Sequence, residues 1–367
     1  MQLRAGIIGL PNVGKSTLFN AITRKQILAA NYPFATIESN VGMVLVPDER
    51  LMVLNNMYKP LRLIPTQYEF IDIAGLVKGA SNGEGLGNKF LSCIREVDAI
   101  VHVVRCFVDK DIIHVNGEVN PIEDVETINV ELSLSDLEIV ENRLKKIEKK
   151  ATNTNEKETI FEFKTLKKLQ ESLSNGVLLR LLSLSDEELE LIKPFNLITM
   201  KPIIYVANVS EEDILGTSDF YKELEELAIK ENSKVVPLCA KFESDLIELT
   251  DDEKKEFLIE TGINTGCLDK LINITYELLN LKTFFTVGTD EVRAWTFKEG
   301  SKAPACAGII HTDFEKGFIK AEVISYDDLI SAGSEMKTKE NGKLRLEGKE
   351  YVMKDGDICH FRFNVTK

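Results

Sequence analysis

The 367-residue chain carries 45 Lys and Arg against 59 Asp and Glu, a net charge of −14, and 44% of its residues are hydrophobic. That length allows two to three domains with ample core. The acidic balance argues against unspecific coating of DNA or an anionic membrane, because cations supply most phosphate affinity. RNA contact through one local patch stays open, and sequence-specific DNA binding is not expected.

The start, Met1 to Gly9, is too soon interrupted to read as a signal peptide, and no apolar run reaches the roughly 18 residues of a membrane span. Cys93, Cys106, Cys239, Cys267, Cys306 and Cys359 form no CxxC pair, which suits buried thiols in a reducing cytoplasm.

In chain order, Leu3 to Ile8 reads as a buried parallel strand ended by Gly9, with a helix from Lys15 to Thr23. Gln67 to Asp72, Ala99 to Arg105, Pro202 to Asn208 and Lys234 to Cys239 supply further strands. Strands alternating with helical stretches predict an α/β fold with a mostly parallel sheet covered on both faces. Leu137, Val140, Leu144 and Ile147, then Leu166, Leu169 and Leu173, repeat at helical spacing. They predict an antiparallel hairpin of long amphipathic helices inserted at 127–200. Ser185-Asp-Glu-Glu188 is a capping-box pattern opening another helix. From 284 onward short β-like runs between turns predict a small, nearly neutral β-rich module. The expected organisation is a nucleotide domain at 1–126 and 201–283, the insertion at 127–200 and the tail module at 284–367.

Gly9-Leu-Pro-Asn12-Val13-Gly14-Lys15-Ser16 fits the phosphate-loop pattern at every fixed position and lies between a strand and a helix. Its glycines let backbone N–H groups face phosphate oxygens, and the helix adds its N-terminal dipole. Lys15 is expected on the β/γ-phosphates and the Ser16 hydroxyl on Mg²⁺, followed by Thr17. Asp72-Ile-Ala-Gly75 closes a second strand, where a carboxylate can hold the water shell of Mg²⁺ and Gly75 can meet the γ-phosphate. Thr36 is a candidate third Mg²⁺ ligand, a turn threonine being the alternative.

Leu76 stands where Ras-type enzymes place a water-orienting glutamine. Among four histidines, His114 lies in a polar stretch after the third strand and is the candidate mobile base; a solvent-facing loop histidine is the alternative. The glycine-rich 77–87 segment is expected to respond to nucleotide state. Guanine readers carry Asn-Lys-x-Asp after the next strand; here Asn208-Val209-Ser210-Glu211 replaces it. With the aspartate replaced by the longer Glu211, and Asn208 left to pair with a base edge, adenine preference is expected.

These segments, with Asn31-Tyr-Pro-Phe-Ala-Thr36-Ile, Pro47-Asp-Glu-Arg50, Asp290-Glu-Val-Arg-Ala-Trp-Thr and His311-Thr-Asp-Phe-Glu-Lys-Gly-Phe318, resemble the YchF family of Obg-like ATPases along the whole chain. The resemblance implies a P-loop G domain, a coiled-coil insertion and a C-terminal β-grasp (TGS) domain. It implies slow hydrolysis of ATP rather than GTP, with Ser16 and Thr36 on Mg²⁺, Val209 near the adenine, and His114 and Lys15 in catalysis. It also implies ribosome association in the cytoplasm and regulation of translation or stress response. By analogy it allows a K⁺ ion beside Asn12. A nucleotide-gated adaptor with little turnover, and a GTPase-type assembly factor, are the competing readings.

Overall fold

The computed structural model describes residues 3–29, 40–73, 86–115, 117–153, 156–247, 249, 253 and 266–364. The chain divides into two compact units, Met1–Met43 with Glu69–Leu271, and Val44–Tyr68 with Ile272–Lys367.

In the first unit, strands β1 (Arg4–Ile8), β2 (Val41–Leu45), β4 (Gln67–Asp72), β5 (Ala99–Arg105), β6 (Ile203–Asn208) and β7 (Lys234–Leu238) form a sheet in the order β2-β4-β1-β5-β6-β7. Every residue of β5 and β6 is buried, as strands sandwiched between helices require. Pairing is parallel from β4 through β7, with Ile7 opposite Asp72, Ile8 opposite His102, Arg105 opposite Asn208 and Asn208 opposite Leu238. The register brings the C-terminal ends of five strands to one edge. The order reverses between β1 and β5, the crevice where open α/β sheets bind ligands. Helix α1 (Lys15–Ala29) follows β1 there, and α3 (Leu86–Glu96) precedes β5.

Helix α4 (Pro121–Asn153) is one unbroken helix, so the boundary expected at 127 falls inside it. Its later turns pair with α5 (Lys157–Ser174), burying Val140, Leu144 and Ile147 against Leu166, Leu169 and Leu173. Arg143 bonds Glu162 and Lys150 bonds Glu156, the pairing of an antiparallel hairpin. The Ser185 capping box opens α6 (Asp186–Ile192) as its sequence prescribes. At the root of the hairpin, fully buried Asp136 binds Arg95 of α3 at 3.0 Å and accepts from the backbone N–H groups of Ile198 and Thr199. The hairpin therefore belongs to the same unit as the sheet rather than standing apart.

The second unit holds a mixed sheet, β11-β10-β12-β8-β9-β3. Its strands are β3 (Arg62–Ile64), β8 (Leu281–Thr286), β9 (Glu291–Lys298), β10 (Phe318–Ser325), β11 (Arg345–Glu347) and β12 (Asp357–Phe363). Phe284, Phe297, Phe318 and Phe361 pack with α10 (Ala303–Ile310); Leu51 and Leu54 of α2 (Glu49–Tyr58) pack with Phe285, Val292 and Ile358. Residues 44–68, expected in the nucleotide domain, are thus part of this unit. Their anchors are the three-residue β3 on the edge of β9 and the Arg50–Asp355 ion pair at 2.8 Å.

His102 in β5 is 1% exposed beside Tyr205, and its Nδ1 has no hydrogen-bond partner among the described residues. Burial, reinforced by the charge of Arg180, pulls its pKa from 6.5 down to about 3. The unfolded chain therefore binds the extra proton, and this residue removes stability as pH falls from about 6.5 toward 3, by about 1.4 kcal/mol per pH unit. His102→Leu is expected to flatten the denaturant-midpoint profile across that window; an unaltered slope would contradict the assignment.

Candidate nucleotide site

The loop after β1 is shaped by backbone conformations that the sequence makes affordable. Asn12 and Gly14 have φ of 63° and 90°, the left-handed region that asparagine and glycine tolerate best. A side chain at Gly9 would lie 2.6 Å from the Val103 carbonyl oxygen, and one at Gly14 would lie 2.2 Å from Asn208 Nδ2. Neither neighbour can withdraw, because both belong to buried strands. The loop leads into α1, whose first turn offers N–H groups without intrahelical partners to an anion.

Lys15, buried to 8% exposure, sets its ammonium 2.5 Å from Asp72 Oδ1. Ser16 donates to Asp72 Oδ2 at 3.2 Å. Three of the residues expected to handle phosphate and metal thus converge, placed by the β1–β4 register. A buried ammonium needs a negative partner, and Asp72 is that partner here. Ser16 and Thr17 are exposed on the first turn of α1. A hydroxyl and a carboxylate within one bond of each other are hard oxygen donors of the kind Mg²⁺ takes alongside phosphate and water. Thr36, Gly75, Leu76 and most of the glycine-rich segment lie outside the described residues.

Asn208 has a structural task that its sequence context does not reveal. Its Nδ2 donates to the Val13 carbonyl at 2.8 Å, and its Oδ1 accepts from the Ala240 N–H at 3.0 Å. Both halves of the amide thus tie the phosphate loop to the start of the helix after β7, which leaves one N–H and one lone pair of the amide for a base. Val209, expected near the adenine, is 1% exposed and packs inward. Glu211 is exposed and ion-paired with Lys241 at 3.1 Å, across the turns that follow β6 and β7. Ala240 and Lys241 were not singled out from sequence. The short Cys239-Ala240-Lys241 run opening α8 (Ala240–Leu246) was the available signal.

His114 departs from the mobile residue expected. It is 6% exposed, and its Nε2 lies 2.9 Å from Oδ2 of Asp124 on the first turn of α4. Its loop is pinned from beneath by Arg105, itself 1% exposed, which donates to the carbonyls of Phe107, Asp109 and Ile112 at 3.1–3.3 Å. Burial lowers the Arg105 pKa. Burial likewise raises that of Asp124 against the opposing hydrogen bond and charge of His114. Asn12 of the phosphate loop donates its side-chain amide to the Ile113 carbonyl at 3.2 Å. The polar composition of 108–117 hid this anchoring, since the partners come from residues 12, 105 and 124.

Removing the Asn208 amide strands two buried backbone groups. Asn208→Ala is expected to lower unfolding stability by about 2–4 kcal/mol and to weaken nucleotide binding at least about tenfold. Denaturant titration and calorimetry check both, and unaltered binding would show the tie to be dispensable.

Residues 4–143 match the family described as "50S ribosome-binding GTPase", and residues 281–364 match a YchF-GTPase C-terminal family described as "Protein of unknown function (DUF933)". The chain is 55% identical to "Ribosome-binding ATPase YchF" of Bacillus subtilis over 367 residues, covering 100% of each. It is 52% identical to the protein of that name from Escherichia coli O157:H7, again covering 100% of each chain. The solved "Structure of the Schizosaccharomyces pombe YchF GTPase" superposes with a TM-score of 0.90 at 42% identity, with 98% of each chain covered. A phosphate loop clamped by Asn208, on a chain similar to these relatives from end to end, places the protein: it belongs to the YchF family.

Proposed function

We propose that the protein is a cytoplasmic, ribosome-binding ATPase that hydrolyses ATP slowly and in preference to GTP, and acts as a nucleotide-dependent regulator in translation and stress response. The relatives' names divide between ATPase and GTPase, so the base must be argued from this chain. One observation carries the argument. At the end of β6 the only carboxylate of the Asn208–Glu211 run is held by Lys241 at 3.1 Å. Guanine discrimination needs a carboxylate receiving both N1–H and the 2-amino group, and Glu211, paired with Lys241, is not set to do so.

For hydrolysis, Lys15 exchanges Asp72 for phosphate oxygens and neutralises charge that develops on the γ-phosphoryl group. The N–H groups of the loop and of the first turn of α1 cradle the phosphates. Mg²⁺, when bound, offsets the phosphate charge, with the Ser16 hydroxyl, Thr36 and, through water, Asp72 as the groups that would hold it. His114 takes the proton of the attacking water, a task Leu76 cannot perform. Burial of His114 against Asp124 is consistent with slow turnover, and it also favours the second reading, a nucleotide-gated adaptor whose protein contacts matter more than hydrolysis.

Calorimetry is expected to show ATP binding at least about tenfold tighter than GTP, a difference of about 1.4 kcal/mol; tighter GTP binding would overturn the assignment. Lys15→Ala is expected to cut turnover by about 10²-fold or more. Ribosome co-sedimentation that changes with nucleotide, together with ribosome-stimulated turnover, supports the regulator. Co-sedimentation with turnover indifferent to ribosomes and to Lys15→Ala favours the adaptor.

A further inference from the structure

We infer that Asp124 is a positioning residue that restrains the hydrolytic step by holding His114 inward. The inference rests on the reading of His114 as the base. Asp124 receives the ring nitrogen farthest from the backbone, Nε2, at 2.9 Å, and both side chains are 3% exposed. The nitrogen with the longest reach is committed to a carboxylate beneath the surface, so the imidazole must leave Asp124 before it can serve a water at the γ-phosphate.

The surroundings make the restraint reversible rather than permanent. The second carboxylate oxygen, Asp124 Oδ1, is buried with no hydrogen-bond partner among the described residues, so the acid is incompletely satisfied where it stands. Burial raises its pKa, and Glu123 pushes the same way while Arg105 opposes. Arg105 fixes the loop through three carbonyls up to Ile112 and leaves the following residues to be held from elsewhere. Ile113 is 80% exposed and is held through its carbonyl by Asn12 of the phosphate loop. A phosphate loop that rearranges around a triphosphate gives up or keeps that bond one residue from His114. Loop occupancy and imidazole release are therefore adjacent in the chain as well as in space.

Hydrogen–deuterium exchange and ATP turnover on the full-length protein test this. Asp124→Ala is expected to speed amide exchange across residues 107–115 about tenfold and to raise kcat several-fold with KM for ATP changed less than twofold. A purely structural residue would lower stability without raising kcat. Asp124→Asn keeps the shape and a weaker bond, should show a smaller rise in both, and decides the matter if Asp124→Ala does not fold. The double variant Asp124→Ala/His114→Ala should lose the gain and fall to the His114→Ala value. Unchanged loop exchange overturns the proposal, and so does a kcat that falls or stays level while His114→Ala is impaired. Should His114→Ala turn over ATP like the parent, the base assignment fails by itself. The hold of Asp124 on the loop is then judged by exchange alone.

Discussion

One amide side chain carries the geometry of the nucleotide lobe. Parallel strands deliver their C-terminal ends to a single edge, and each chain leaving that edge has backbone groups with no ladder partner. Asn208 offers one donor and one acceptor at the same spot, and joins the Val13 carbonyl to the Ala240 N–H across that edge. Gly14 is required because the amide lies where its side chain would be. The same two bonds hold the amide in one orientation at this edge, and Glu211 and Lys241 form an ion pair beside it.

Buried cations in this lobe are neutralised in two different ways. Lys15 rests on a carboxylate, Asp72, a single contact that a phosphate can replace with little other rearrangement. Arg105 and Lys201 rest on carbonyls instead. Arg105 gathers three from the loop before His114, and Lys201 takes those of Arg95 and Val97 at the end of α3. Several carbonyls from one segment cannot be exchanged for a ligand without moving that segment, so these two residues fix backbone while Lys15 remains available for chemistry. Burial lowers the pKa of both carbonyl-bound cations, outweighing the opposing charge of Asp109 and Asp124 on Arg105 and of Asp98 and Asp136 on Lys201.

How much of this was legible in the sequence depended on whether the determining contacts were local. The phosphate loop, Asp72 at the end of its strand and the two apolar seams of the hairpin are patterns contained in a few consecutive turns, and they are where the sequence places them. β3 has only three residues, and its neighbour Leu61 is 83% exposed. Nothing in that composition announces an edge strand that completes a sheet by pairing with Glu291 to Arg293, 229 residues further along the chain. His114 was read as mobile because its neighbours are polar, yet its burial is decided by Arg105 and Asp124. The bonds of Asn208 to Val13 and Ala240 are hidden in the same way, since sequence shows the amide and not the backbone groups facing it.

The length of α4 gives the last constraint. At 1.5 Å per residue its 33 residues run about 50 Å. Asp124 on its first turn meets His114, Asp136 about three turns on meets Arg95 of α3, and Val140 to Ile147 then form the seam with α5. Attachments at two heights, to partners from different elements, fix both the rotation and the axial position of a helix. Such a helix cannot slide or turn at the hairpin without straining the His114 bond or the Arg95 bond. α3, the helix before β5, and His114, one residue beyond the carbonyl that Asn12 of the phosphate loop binds, are both tied to this one helix. Asp136 has four hydrogen bonds from α3 and the 198–199 turn, whereas the Asp124 carboxylate shares one with His114, its other oxygen having no partner among the described residues. Displacement of the helix will therefore strain the weaker attachment first, and that attachment is the one at His114.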